Sequence, residues 1–240
     1  MLTARRVDRL QALAQELTAG GGRALALACD VTVDGDLERA VAAALDAFGR
    51  LDVVVANAGF GVVGPVQALT LDDYRRQLET NVFGVVRTAY ATLAELKKTR
   101  GRFVIIGSVS GHIGVPGSSA YSMSKFAVRG FAASLGHELV PHGVAVTLIS
   151  PGFVDSEIRR VDNQGRLKEA SADPVPRWLR VATPVAARAI VRAVARRRRE
   201  AVITGHGRIT VFMQRHAPAL VDWVVRRFGV RSRAEPPPAT

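Results

Sequence analysis

A doubly wound, parallel α/β sheet is the fold that this sequence predicts, and three observations predict it. Short apolar runs rich in β-branched residues alternate with longer segments whose apolar residues recur every three or four positions. The runs end on polar residues or tight turns: Asp30, Asn57-Ala58-Gly59, Ser108 and Pro151-Gly152. A length of 240 residues suits one such domain with an ample core. Strands separated by helices pair in parallel, and ligands of such sheets sit outside the carboxyl ends of the strands. The four run ends therefore predict one shared site. Taken singly, Asp30 reads equally as a helix cap and Asn57-Ala58-Gly59 as a mere turn.

The elements follow in order. Met1 to Arg6 has the character of a strand's tail. Val7 to Leu17 has apolar residues at 7, 10, 13, 14 and 17, which is helical spacing, and Gly20-Gly21-Gly22 ends it. Ala24 to Val31 predicts a buried parallel strand ending at an acid, with Cys29 in the core rather than a nucleophile. Asp36 to Phe48 is a second helix closed by Gly49, and Leu51 to Ala56 the next strand. Thr70 caps a helix with Asp72 and Asp73 in its first turn, and the helical pattern runs on through Asn81 to Lys98. Then come the Phe103 strand, the helix containing Tyr121 and the strand Gly143 to Ser150. Residues 155–180 are irregular, broken by Asn163-Gln164-Gly165 and Pro174-Val175-Pro176. Thr183-Pro184 opens a helix that ends in Arg196 to Arg199, and Glu200 to Thr204 is a short last strand. The division expected is a domain over 1–205, an apolar and basic helical segment over 206–230, and a disordered tail over 231–240.

Charge and composition remove several classes. The formal net charge is +12, but residues 181–240 hold twelve arginines, no lysine and three acids, which is +9 of that total. No zinc spacing, helix-turn-helix or aromatic RNA motif accompanies the excess, so a nucleic-acid partner is not expected. A solvated basic face or an anionic membrane surface accounts for it. Ile209 to Phe228 suits an amphipathic segment packed on the core, on a second subunit or on a lipid surface. A single cysteine excludes an internal disulfide, which permits a reducing cytoplasm, the location expected. No charged-then-apolar leader and no apolar run long enough to span a bilayer is present.

The chemistry concentrates between Ser108 and Lys125. Tyr121 and Lys125 are four apart and share one helix face. A phenol ionises near pH 10 and is a poor base at neutrality, and an adjacent ammonium is expected to lower that value. Ser108 closes the preceding strand and can hydrogen-bond the same reacting oxygen, which makes a proton-transfer site for an alcohol or ketone. A Tyr-x3-Lys pair alone also fits an amphipathic helix with one buried tyrosine and one solvated lysine.

With Asn81 in Asn-Val-Phe-Gly, Asn57-Ala58-Gly59 closing a strand, Ser108 thirteen residues before Tyr121, and Pro151-Gly152 after the next strand, the chain resembles the short-chain dehydrogenase/reductase family from Leu2 to about Gly205. The resemblance implies Tyr121 as proton donor and acceptor, and Lys125 as the residue that tunes it and holds the nicotinamide ribose. Ser108 would polarise the substrate oxygen and Asn81 would support a water-linked relay. Ser110, eleven residues before Tyr121, is the poorer match. Asp30-Val31 would meet the adenine and Asn57, Ala58 and Gly59 would line the cofactor. Pro151, Gly152, Val154 and Ser156 would fix the nicotinamide amide, with Ser156 where threonine is usual. Residues 155–180 would cover the substrate, with Phe153, Leu167, Trp178 and Leu179 apolar, although Trp178 fits simple packing equally. Arg5 and Arg6 stand where an acid would select NAD, so NADP(H) is the cofactor expected, with Arg5 as the main contact to its extra phosphate. A small alcohol or carbonyl substrate and a homo-oligomer complete the expectation.

The family's glycine-rich turn, Thr-Gly-x3-Gly-x-Gly, has no counterpart, and Gly20-Gly21-Gly22 follows a helix rather than a strand. The expectation is therefore a Rossmann-like doubly wound sheet lacking its first strand and helix and most of its second strand, about 30 residues of βαβ unit. Such a chain would expose the edge Val53-Val54-Val55, dissolve poorly, and bind NADP(H) weakly or not at all. The competing function is a cofactor-free scaffold or regulatory protein that keeps these residues without using them.

Overall fold

Strand, helix and strand alternate along most of the chain, and each return to the sheet is parallel. The computed structural model describes residues 1–167, 173 and 175–228. Pro174 and the tail at 231–240 lie outside those residues. In order come β1 (Leu2–Ala4), α1 (Val7–Ala19), β2 (Ala26–Ala28), α2 (Asp36–Phe48) and β3 (Val53–Ala56). Next are α3 (Leu71–Leu78), a π-helical turn (Glu79–Phe83), α4 (Gly84–Thr99), β4 (Arg102–Ile106) and α5 (Ser119–Glu138). The rest is β5 (Ala145–Ser150), α6 (Thr183–Ala195), β6 (Glu200–Val202), α7 (Gly205–His216) and α8 (Pro218–Phe228).

The parallel strands form two sheets, β1-β2 and β3-β4-β5-β6. Among the described residues β3 has a strand partner on one side only, and Val53 and Val55 are 44% and 50% exposed along it. It does not pair with β2, whose partner is β1. The strand expected over Ala24 to Val31 is shorter than read and half-exposed rather than buried. The reason is its surroundings: among the described residues β1 is its only strand neighbour, and only Cys29, packed with Leu37 and Ala40, is well buried there.

β4 and β5 are covered on both faces, which is why they read as largely apolar runs, with Thr147 the polar interruption in β5. Phe103, Ile105, Val146 and Leu148 pack on one side with Leu96 of α4 and Val128 and Leu135 of α5. Val104 and Ile149 face the other side, against Ala186, Ala193 and Val194 of α6. Thr70 caps α3 in a reciprocal box with Asp73. The C-terminal segment is two helices, because Pro218 cannot continue α7 and instead opens α8. No helix among the described residues is long and apolar enough to cross a membrane.

Candidate active site

Ser108 lies just beyond β4, where its hydroxyl accepts the Ser110 amide at 3.1 Å and caps a short helical turn over Val109–Gly111. That leaves its own proton to face the Tyr121 hydroxyl, whose ionised form the Ser108 side chain favours. The turn is held close to α5 at Gly111: a Cβ there would come 2.7 Å from the Lys125 carbonyl oxygen. Only glycine lets the loop carrying Ser108 approach the helix carrying Tyr121 this closely.

Lys125 is 6% exposed. Its ammonium donates to the Ile106 carbonyl at 2.8 Å and lies over the Tyr121 ring, 5.6 Å from the centroid. Desolvation pulls its pKa from 10.5 to about 8. The Tyr121 phenol moves the other way from the expectation: burial raises it above 10, while the Ser108 hydrogen bond and the positive charge of Arg159 oppose that rise. With the ammonium over the ring, burial of the hydroxyl outweighs the lowering that the spacing implied.

Asn81 lies in the π-helical turn, almost fully buried. Its amide accepts from Phe60 N at 3.1 Å and donates to Phe60 O at 3.0 Å and to Ser124 Oγ at 3.2 Å. Ser124 in turn donates to the Tyr121 carbonyl at 2.7 Å. Gln77 reinforces the clamp through Phe60 O and Val62 N. The side chain of Asn81 thus joins the loop after β3 to the start of α5, and Asn57, Ala58 and Gly59 lie exposed along that loop.

The remaining expected residues spread along the strand ends. Asp30 accepts from the amide and hydroxyl of Thr32 and stands 3.9 Å from the Arg5 guanidinium. Val31 packs on Gly84 of α4. Arg6 is not beside Arg5's partner: with Arg9 it grips Glu157, at 3.0 Å and 2.8 Å. Those bonds hold the Glu157 carboxyl below its usual range, Arg9 contributing most. Pro151 accepts from Val109 N, tying the ends of β4 and β5. Gly152 is packed too tightly for a side chain, since a Cβ would fall 2.4 Å from His206 Nε2 and Thr204 Oγ1. Val154 forms a parallel bridge with Val181, and Ser156 precedes a turn over Glu157–Arg160.

Several contacts have no local sequence signal. Asn163 grips both backbone groups of Val63 at 3.0 Å, so the segment after Ser156 is strapped at one end to α1 and at the other to the loop beyond β3. Arg159 is bound to Asp173 and to the Val154 carbonyl. Buried His112 sits 3.0 Å from Glu200 and 3.2 Å from Ser150 Oγ, locking the Ser108 turn to β5 and β6. A charged cavity of about 670 Å³ lies along the strap, lined by Asp155, Arg160, Arg177 and Arg180 among others. Ser108, Tyr121 and Lys125 do not line it, so it is separate from that cluster.

The family model described as short chain dehydrogenase matches residues 1–167. The chain belongs to the short-chain dehydrogenase family. It is 31% identical to the 11-beta-hydroxysteroid dehydrogenase A of Sesamum indicum over 98% of this chain and 70% of that one. A solved alcohol dehydrogenase from Thermococcus sibiricus, complexed with 5-hydroxy-NADP, is 26% identical, with a TM-score of 0.71 over 84% of this chain and 83% of that chain. A solved short-chain dehydrogenase/reductase of Burkholderia phymatum in complex with NAD superposes with a TM-score of 0.79 at 22% identity, over 92% and 85% of the two chains, a likeness of fold. The chain spans between 47% and 70% of the length of the curated relatives it matches.

In this short-chain dehydrogenase the buried Lys125 has a testable consequence. Between about pH 8 and 10.5 the unfolded chain keeps a proton on Lys125 that the folded chain has released. Stability therefore rises with pH through that interval, by linkage. Tyr121 adds an opposing trend only above pH 10, where the unfolded phenol ionises first. Relative to Lys125→Met, the parent should gain stability from pH 8 to pH 10 in denaturant titrations. A difference that stays flat would mean that Lys125 is hydrated.

Proposed function

We propose that the protein is an NADP(H)-dependent oxidoreductase that interconverts a secondary alcohol and a carbonyl on a small molecule. The observation that carries this reading is the buried Tyr121 hydroxyl, with Ser108 acting on it and the desolvated Lys125 over its ring. When bound, the nicotinamide cofactor supplies or receives the hydride. Tyr121 gives its proton to the carbonyl oxygen in reduction and takes it back in oxidation. Ser108 has a proton available for the same oxygen and holds it in line.

The donor set of Lys125 fits a ribose: one proton is committed to Ile106, and an ammonium has two more for adjacent hydroxyls. At the other end, Arg5 and Asp30 stand together at the ends of β1 and β2, where an adenosine ribose carrying a 2′-phosphate would pair with the arginine. No glycine-rich helix N-terminus lies between them among the described residues, so weak binding is expected. The choice of cofactor is read from a ratio. Calorimetric competition should favour NADP over NAD, and Arg5→Ala should erase that preference, by roughly tenfold, without weakening NAD. A preference for NAD in the parent chain would overturn the assignment.

A further inference from the structure

We propose that the α7–α8 pair docks the protein on an anionic lipid surface. α7 is fixed by its inner side: Thr204 caps it through the Gly207 amide, and Gly207 and Val211 are buried. Of its other residues, His206, Thr210, Met213 and Gln214 are half-buried, and the outer side exposes Ile209 to 67% and Phe212 to 59%. On α8, Leu220, Trp223 and Val224 are spaced as one helical stripe and are all exposed, Trp223 to 57%. The core therefore uses little of the apolar content of this segment. Two helices of 12 and 11 residues are too short to span a bilayer, which takes about 20. They suit a position in the interface, where tryptophan is favoured.

Charge decides between a lipid surface and a second copy of the chain. Residues 205–228 carry four arginines, 208, 215, 226 and 227, against one acid, Asp222. All four are exposed. Arg215 reaches Glu200 and Arg226 reaches Asp222, but the surface keeps a positive excess. A two-fold contact through this face would bring the excess of one copy against that of the other. Lipid phosphates and carboxylates neutralise it while the apolar stripes enter the acyl boundary.

The test is flotation of the full-length chain with vesicles of phosphatidylcholine, alone or partly replaced by phosphatidylserine. Binding is expected with the anionic vesicles, weakening as salt rises. The double variant Phe212→Gln/Trp223→Gln should lower partitioning more than tenfold, and Arg226→Gln/Arg227→Gln by roughly tenfold to thirtyfold. Both change exposed residues, and circular dichroism checks that the fold persists. The open β3 edge is the same in every variant, so adhesion through it would leave flotation unchanged and overturn the proposal. Equal binding to neutral vesicles, or none to anionic ones, would also overturn it. So would a dimer in sedimentation that the Phe212→Gln/Trp223→Gln variant abolishes, because a second copy would then own the face.

Discussion

Turnover in Tyr121→Phe is expected to fall by roughly 10²-fold or more, with the fold intact. The substitution removes one oxygen and leaves the ring, over which Lys125 lies, in place. The proton donor is lost, while Ser108 stays held by the Ser110 amide. Ser108→Ala should follow in the same direction, since its hydroxyl favours ionisation of the Tyr121 phenol. Ser110→Ala retains that amide and should stay near parental activity. Steady-state assays on a panel of secondary alcohols and ketones would read all three. A Tyr121→Phe protein with ordinary turnover and stability would show that the proton moves elsewhere.

Phe103→Ala should cost about 3–5 kcal/mol of stability, from lost apolar burial plus the cavity left behind. Among the described residues Phe103 is the largest side chain with no exposed surface, and it stands where β4 meets the apolar faces of α4 and α5. The strand it anchors leads directly to Ser108, so activity should fall with the melting temperature. Trp178→Ala is the control in the same assay: a larger residue, but exposed, and expected to change stability by no more than about 0.5 kcal/mol. Equal effects at the two positions would contradict the packing described.

What could be read from the chain beforehand was whatever depends on neighbours close in sequence. The box at Thr70 and Asp73 spans three residues, and the shared face of Tyr121 and Lys125 spans four. The alternation of runs was enough for parallel pairing and for placing Asp30, Asn57, Ser108 and Pro151 at strand ends. Glu157 was invisible because its partners lie 151 and 148 residues away. The direction of the Tyr121 shift was missed for a related reason: desolvation is set by everything folded around the hydroxyl, whereas spacing reveals one neighbour only. The break at Ala217–Pro218 was legible as a proline. The exposure of the stripes beside it was not, since periodicity shows that a face is apolar and not what covers it.

The wide turn at Glu79–Phe83 gives the helix pair around it the property of a spacer. A π turn holds one residue more than an α turn, so every side chain before it is phased against every side chain after it. Removing any one residue between Glu79 and Phe83 would let the backbone close into regular α bonding and rotate α3 by roughly 100° about its axis relative to α4. Gln77 would then swing away from Phe60 while Val85 and Ala89 kept their places in the core. Such a deletion should slow amide exchange across the junction and loosen the loop over 57–63, gaining local order where the helix is and losing it where the ligand would be.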